Sequence, residues 1–146
     1  MNEEMRDPRN HQYPSYKGEP DFCENVAKWF ERRFGTALDP SCEIMATIGG
    51  KDAVSHLPFV FLDPGDSGLV TDPGYPVYEA AIGFAGGSVV RVPLIEDKGF
   101  LPDLDAIPPQ VADKANIFFV NYPNNPTAAV ADDAFFEKLI AFAKKH

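Results

Sequence analysis

The chain has 146 residues, a hydrophobic content of 45% and a formal net charge of −9 at pH 7. This length allows one domain with a modest core, and the acidic balance argues against nucleic acid binding, which needs clustered Lys and Arg. No apolar run approaches the ~20 residues that span a bilayer, and the first residues are polar, so we expect a cytoplasmic protein. Cys23 and Cys42 have no metal-ligand spacing, which predicts neither a metal site nor a redox pair.

The amino-terminal part of the chain divides into an arm and a helix. Residues 1–20 are polar and repeatedly interrupted by proline or glycine, which predicts an arm or loop. From Asp21 onwards, apolar residues recur at intervals of three and four until Gly35, a residue typical of helix ends. We therefore predict an amphipathic helix there, and we assign residues 21–146 to one domain.

Strands and helices alternate along that domain. The predicted strands are Glu43–Ile48, Gly68–Thr71, Ser88–Val92 and Ile117–Val120, and the predicted helices are Asp52–Leu62, Pro76–Ala85 and a last one from Asp132 to Lys145. The segment Asp103–Val111 is rich in turn residues and holds a short helix at most. Helices that alternate with largely apolar strands indicate an α/β fold with a mostly parallel sheet covered on both faces.

A first candidate site lies between a predicted strand and the helix after it, at Gly49-Gly50-Lys51-Asp52. Glycines there let backbone amides approach an anion, and a helix N-terminus carries the equivalent of about half a positive charge. The sequence thus predicts a phosphate site at Gly50 and Lys51. Taken alone, the same pattern also suits an ordinary tight turn with a solvated lysine.

A second candidate site follows another predicted strand, in the run Asp72-Pro73-Gly74-Tyr75-Pro76. Pro-Gly makes a tight turn and Pro76 suits the first position of a helix, so Tyr75 is fixed at the carboxyl edge of the sheet. Ligands of open α/β sheets bind at that edge, where an aromatic ring can stack on a flat heterocycle. Packing of Tyr75 under its own turn is the alternative.

A third candidate site follows the apolar strand ending at Val120, and its sequence is NYPNNPT, residues 121–127. Prolines on both sides hold two asparagine amides in a rigid loop at the end of a strand. Three loops at one edge of the sheet would then supply backbone amides for an anion, an aromatic ring for stacking and a side-chain amide for hydrogen bonding. Together they predict a site for a phosphorylated aromatic ring.

These motifs resemble the class I/II aminotransferases in content and in order. The run NYPNNPT is preceded by DPGYPVY and IGGKD, and YPSYKGEP lies upstream of WFERRFG. The resemblance covers the chain from Tyr13 onwards and implies the first half of the large domain of that family, the cofactor pyridoxal 5'-phosphate and a homodimer. It further implies that Gly50 and Lys51 bind the phosphate, Tyr75 stacks on the pyridine ring and Asn125 hydrogen-bonds the phenolic oxygen. Tyr13 matches the position that reaches the phosphate of the neighbouring subunit.

The chain departs from the family pattern at two positions. Ala128 stands where the family usually has glycine after NPT, and Gly50 stands where many relatives have a hydroxyl residue. If the backbone at Ala128 has a positive φ, alanine there costs about 1 kcal/mol or more. We also expect, from the resemblance, cis peptide bonds at Asp72-Pro73 and Asn125-Pro126.

The residues that carry the chemistry of such enzymes are not found in the chain. The lysine that bonds to the cofactor, the carboxylate at the pyridine nitrogen and the arginine for the substrate lie, by resemblance, beyond His146. We therefore assign no catalytic residue and expect an inactive fragment of an enzyme that exchanges amino groups between amino acids and 2-oxo acids. The main alternative is a non-catalytic module that pairs with another chain. A nucleotide-binding Rossmann domain is disfavoured because no GxGxxG follows the first strand.

Overall fold

The computed structural model describes residues 2–146, and the chain forms two compact units that divide between Gly49 and Gly50. In the first unit, the predicted arm contains two short 3-10 helices, Glu4–Arg6 and Pro8–His11. The carboxylate of Asp7 accepts a hydrogen bond from the backbone amide of Arg9 at 2.9 Å and so caps the second of them. The arm therefore has local turns where the sequence predicted only loop.

Helix α1 (Pro20–Phe34) confirms the helix predicted from Asp21 to Gly35. Pro20 occupies the first turn, where the missing amide hydrogen costs nothing, and Gly35 ends the helix with a φ of 69°. The amide of Gly35 donates to the carbonyl of Glu31 at 2.8 Å. Local sequence signals thus decide both ends of α1.

The prediction of a strand at Glu43–Ile48 is wrong, because the segment has no regular secondary structure. Ala46 donates its amide to the carbonyl of Lys17 at 2.8 Å, but no strand of residues 2–146 pairs with the segment. Ile44 is buried, whereas Met45 and Ile48 are exposed. A β-branched, apolar sequence forms a strand only where a second strand satisfies its backbone groups.

The second unit is built on a parallel sheet of three strands in the order β2-β1-β3. The strands are β1 (Ser67–Asp72), β2 (Ser88–Pro93) and β3 (Ala115–Phe119), so three of the four predicted strands are confirmed. Residues 68–71 in the central strand β1 are all buried, which explains their short, largely apolar run. The α/β fold class is confirmed.

Four helices accompany the sheet: α2 (Gly50–Phe61), α3 (Pro76–Phe84), α4 (Pro109–Ala112) and α5 (Asp133–Lys145). A core cluster joins α3 to the sheet and comprises Leu62, Val70, Tyr78, Ile82 and Phe119. Helix α5 begins where the sequence predicted, and the carboxylate of Asp132 there accepts a hydrogen bond from the backbone amide of Phe135 at 2.9 Å. Helix α2 begins two residues before the predicted Asp52, at the second glycine of the pair.

Strand β3 pairs with β1 on one side, and no strand of residues 2–146 pairs with its other side. Apolar side chains are also exposed on α2 and α3, among them Leu57, Val60, Phe61 and Phe84. An open strand edge and exposed apolar helix faces are both surfaces on which further protein can pack. Within the described part of the chain, no helix is both long enough and apolar enough to cross a bilayer.

Candidate functional site

Tyr75 and Asn125 follow two neighbouring parallel strands. Tyr75 comes three residues after the end of β1 at Asp72, and Asn125 comes six residues after the end of β3 at Phe119. Because β1 and β3 are parallel and adjacent, their carboxyl ends meet at one edge of the sheet. The structure thus places Tyr75 and Asn125 at the same edge.

The turn before Tyr75 is set by close packing of the backbone. A Cβ atom on Gly74 would lie 2.2 Å from the carbonyl oxygen of Thr71 and 3.1 Å from its hydroxyl oxygen, so only glycine fits. The peptide bond Asp72-Pro73 is cis, which confirms the prediction. Tyr75 then precedes helix α3, with Pro76 at the first helical position.

A short aromatic row supports the ring of Tyr75. Tyr75 meets Tyr78 edge to face at a centroid distance of 5.6 Å, and Tyr78 stacks on Phe119 at 4.7 Å with an interplanar angle of 5°. The row therefore connects Tyr75 to the last residue of β3. Burial raises the pKa of the Tyr78 hydroxyl above its usual value, and the neighbouring Tyr75 adds to that rise, so Tyr78 is neutral at physiological pH. The Tyr75 ring is half-buried and keeps an accessible part.

The N-terminus of α2 is an open backbone surface. Gly50 is the first residue of this helix of 12 residues, and a Cβ atom there would meet nothing within 4 Å. Gly50 and Lys51 are both exposed. One turn further on, Val54 packs against the core cluster that also contacts Tyr75. The start of α2 and the ring of Tyr75 are thus supported by the same cluster.

The two adjacent asparagines in the loop that carries Asn125 differ in burial. Asn124 is buried, with 4% of its surface exposed, whereas Asn125 is exposed. The peptide bond Asn125-Pro126 is cis as predicted, and Tyr122-Pro123, for which the sequence gave no expectation, is cis as well. The sequence singled out Asn125 but not Asn124, because nothing in the local pattern distinguishes the two side chains by burial.

Tyr122 anchors the start of this loop. Its hydroxyl donates a hydrogen bond to the carbonyl of Phe100 at 2.7 Å, and its ring meets Phe135 of α5 edge to face at 5.4 Å. Burial raises the pKa of the Tyr122 hydroxyl, which keeps it protonated and able to donate. The loop is therefore held between α5 and the segment that follows β2.

Ala128 has a φ of 60°, in the left-handed region. This confirms the condition under which alanine, standing where the family usually has glycine, lowers the stability of the fold. The left-handed conformation brings the methyl group too close to the following carbonyl, and this costs roughly 1–2 kcal/mol. The sequence therefore carries a strained residue in the loop next to the site.

We expect Ala128→Gly to raise the free energy of unfolding by about 0.5–1 kcal/mol, since relief of strain exceeds the extra entropy of an unfolded glycine. Urea denaturation measures the change. Ala134→Gly, in the first turn of α5, is the matched control and should lower stability by up to about 1 kcal/mol. Equal losses in the two variants would contradict strain at Ala128.

Tyr13 lies in the first unit, in a segment without regular secondary structure, and its side chain is fully exposed. Its predicted contact, with the phosphate in a neighbouring subunit, stays a prediction.

The start of α2 and the two residues at the sheet edge, Tyr75 and Asn125, are each chemically suited to part of a phosphorylated pyridine ring. Open amides at a helix N-terminus suit a phosphate, a half-buried aromatic ring suits a flat heterocycle, and an exposed amide suits a phenolic oxygen. A cavity of about 130 Å³ next to Tyr75 is lined by residues such as Thr71, Gly74 and Arg91 and involves neither Gly50 nor Asn125. Binding sites for cofactors usually enclose about 300 Å³ or more. The pyridine ring of a cofactor would therefore lie on the accessible side of Tyr75 rather than in this cavity.

The model of the family "Aminotransferase class I and II" matches residues 1–146. LL-diaminopimelate aminotransferase of Nitratidesulfovibrio vulgaris strain Miyazaki F is 53% identical over 146 residues, which are 100% of this chain and 38% of that protein. The enzyme of the same name from Halothermothrix orenii is 50% identical with the same coverage. This chain thus spans 38% of the length of these relatives.

Solved structures resemble the chain over almost its whole length. BacF from Bacillus subtilis, solved with bound substrate, has a TM-score of 0.94 and 42% identity over 99% of this chain and 37% of that one. A variant of aspartate aminotransferase from Thermus thermophilus has a TM-score of 0.85 and 33% identity over 99% of this chain and 38% of its own. The open edge of β3 therefore belongs to a chain that matches a little over a third of these proteins.

Proposed function

Because the chain belongs to the class I and II aminotransferase family, we propose that it forms the first half of the cofactor-binding domain of an enzyme that transfers amino groups. The reaction exchanges an amino group between an amino acid and a 2-oxo acid. Relatives that are 50–53% identical are named LL-diaminopimelate aminotransferases, so LL-diaminopimelate is the first amino donor to test.

The cofactor of this family is pyridoxal 5'-phosphate, which acts as an electron sink for the reacting carbon. We propose that the backbone amides of Gly50 and Lys51 bind its phosphate and that the ring of Tyr75 stacks on the pyridine. Asn125 would donate an amide hydrogen to the phenolic oxygen. The observation that supports this assignment best is the shared carboxyl edge of β1 and β3, at which Tyr75 and Asn125 both lie.

The residues of this chain bind and orient, and none is assigned to the chemical step. A lysine must move protons at the substrate carbon and an arginine must hold the substrate carboxylate, and the resemblance places neither among residues 1–146. We therefore propose that the chain by itself does not catalyse transamination. Lys51 serves the phosphate and not the aldehyde of the cofactor.

We also propose that the whole protein is a homodimer in which Tyr13 reaches the phosphate bound by the partner. Its full exposure supports this role, since a residue that serves another subunit is not packed in its own. The division into an arm, residues 1–20, and the first half of the cofactor domain, residues 21–146, is part of the same proposal. A cytoplasmic location is part of the same proposal.

Titration of the chain with pyridoxal 5'-phosphate, followed by absorbance, tests the proposed site. Tyr75→Ala and Asn125→Ala should each weaken binding by up to about tenfold, the worth of one ring stack or one hydrogen bond. Asn25→Ala on α1 removes an exposed side chain that donates to the Asp21 carbonyl, and it should leave binding unchanged. Equal affinity of all three variants would contradict the assignment.

Reduction with borohydride tests the proposed role of Lys51. We expect the cofactor to be removed afterwards by dialysis, because no lysine of the chain is expected to bond to its aldehyde. Cofactor fixed on Lys51, detected by mass spectrometry of peptides, would show that Lys51 faces the aldehyde.

The alternative, a non-catalytic module that pairs with another chain, is favoured by one observation. Strand β3 is apolar and exposes an unpaired edge among residues 2–146. The same titration separates the two functions, since a folded chain that binds no pyridoxal 5'-phosphate would support the pairing module.

A further inference from the structure

We propose that Asn124 and Thr127 are positioning residues, which fix the direction in which Asn125 presents its amide to the cofactor. This inference rests on the proposed function, because it gives Asn125 a ligand. It goes further in assigning a role to two residues that neither the motif nor the comparisons assign.

The need for such residues follows from the surroundings of Asn125. Its side chain is exposed and makes no hydrogen bond to any of residues 2–146. Because no neighbour holds this side chain, the backbone position of Asn125 alone fixes the point from which its amide can reach a ligand. The placement of the Asn125 side-chain amide therefore depends on the conformation of the loop and not on contacts of Asn125 itself.

The hydroxyl of Thr127 is the centre of a small network below the loop. It donates to Oδ1 of Asn124 at 2.9 Å and accepts from the backbone amide of Ala129 at 3.3 Å. The same oxygen of Asn124 also accepts from the backbone amide of Thr127 at 3.3 Å. One hydroxyl and one amide oxygen thus tie the two sides of the loop together.

Two backbone hydrogen bonds close the loop at its ends. The backbone amide of Asn124 donates a hydrogen bond to the carbonyl of Ala129 at 2.9 Å, and the backbone amide of Ala128 donates to the backbone carbonyl of Asn124 at 2.8 Å. Since Asn124 is buried, loss of the Thr127 hydroxyl would leave the Oδ1 atom of Asn124 with only the longer hydrogen bond, 3.3 Å, from the backbone amide of Thr127. The segment from Asn124 to Ala129 is therefore a closed unit that presents Asn125 on its outer side.

A pair of substitutions isolates the hydroxyl. Thr127→Val removes it at almost constant shape, and Thr127→Ser retains it. We expect Thr127→Val to weaken binding of pyridoxal 5'-phosphate about tenfold, the worth of one hydrogen bond, and Thr127→Ser to bind within about twofold of the unmodified chain. Equal weakening by both substitutions would overturn the proposal.

A double-mutant cycle separates positioning from a general loss of structure. In the Asn125→Ala background there is no amide left to direct, so Thr127→Val should then change the affinity by no more than about twofold. If Thr127→Val weakens binding tenfold in both backgrounds, its effect does not pass through Asn125 and the proposal is wrong.

Backbone ¹⁵N relaxation of the unsubstituted chain gives a test without cofactor and without variants. The amide of Asn125 should be as ordered as the amides of β3, with an order parameter of roughly 0.85. A mobile Asn125, with a value below about 0.6, would overturn the proposal even if Thr127→Val failed to fold. A rigid loop in a chain that binds no pyridoxal 5'-phosphate would instead support the positioning role and contradict the proposed function.

Discussion

We expect Gly74→Ala to lower the free energy of unfolding by about 2–3 kcal/mol and to weaken cofactor binding about tenfold, as much as loss of the Tyr75 ring itself. The added methyl group would lie 2.2 Å from the carbonyl oxygen of Thr71. That oxygen belongs to the backbone at the end of β1, so no side-chain rotation can make room for the methyl group. The turn has to open, and the ring of Tyr75, one residue further on, leaves its place beside Tyr78.

Gly83→Ala is the matched control for this substitution. Gly83 lies within helix α3, and a Cβ atom there would meet nothing within 4 Å. Alanine favours a helix over glycine, so this variant should gain up to about 1 kcal/mol. Urea denaturation and titration with pyridoxal 5'-phosphate measure both variants, and a Gly74→Ala protein as stable as the original would show that the turn is not closely packed.

Ile82→Ala should lower the free energy of unfolding by about 2–5 kcal/mol. Ile82 is 0% exposed and belongs to the core cluster between α3 and the sheet. Glycine at position 68 lets its side chain approach β1, since a Cβ atom there would lie 2.6 Å from its Cδ1 atom. Truncation leaves a cavity that the rigid backbone of a central strand cannot fill.

The control for Ile82 is Ile140→Ala on α5, which removes the same atoms from a side chain that is 54% exposed. Its cost should be below about 1 kcal/mol, because little apolar surface returns to water. Thermal unfolding followed by circular dichroism compares the two. Similar costs would mean that the core of the second unit does not lie where α3 meets the sheet.

The local elements of the second unit could be predicted because their signals are short-range. Proline and glycine fix the turn before Tyr75, Asp132 caps α5, and an apolar run marks the buried strand β1. Each signal acts over a few residues and needs no knowledge of distant parts of the chain. The sequence also placed Tyr75 and Asn125 at the carboxyl edge of one sheet, and the structure added that their strands are neighbours.

The segment Glu43–Ile48 could not be predicted in this way. Its composition favours a strand, but strand formation depends on hydrogen bonds to a second strand, and none of residues 2–146 supplies one. The amino-terminal arm shows the converse, since Asp7 caps a turn that proline content alone does not reveal. In both places the conformation depends on which partner satisfies a backbone group, a second strand in one case and the carboxylate of Asp7 in the other, and the pattern of apolar residues and prolines does not specify that partner.

The sequence by itself determined the alternation of strands and helices in residues 50–146 and the turns that carry Tyr75 and Asn125, because these depend on the conformational limits of single residues. Only the tertiary structure decided which of two adjacent asparagines is buried, that Ala128 has a left-handed backbone, and that an aromatic row supports Tyr75. Burial and close packing depend on residues far apart in the chain, so a local pattern cannot specify them.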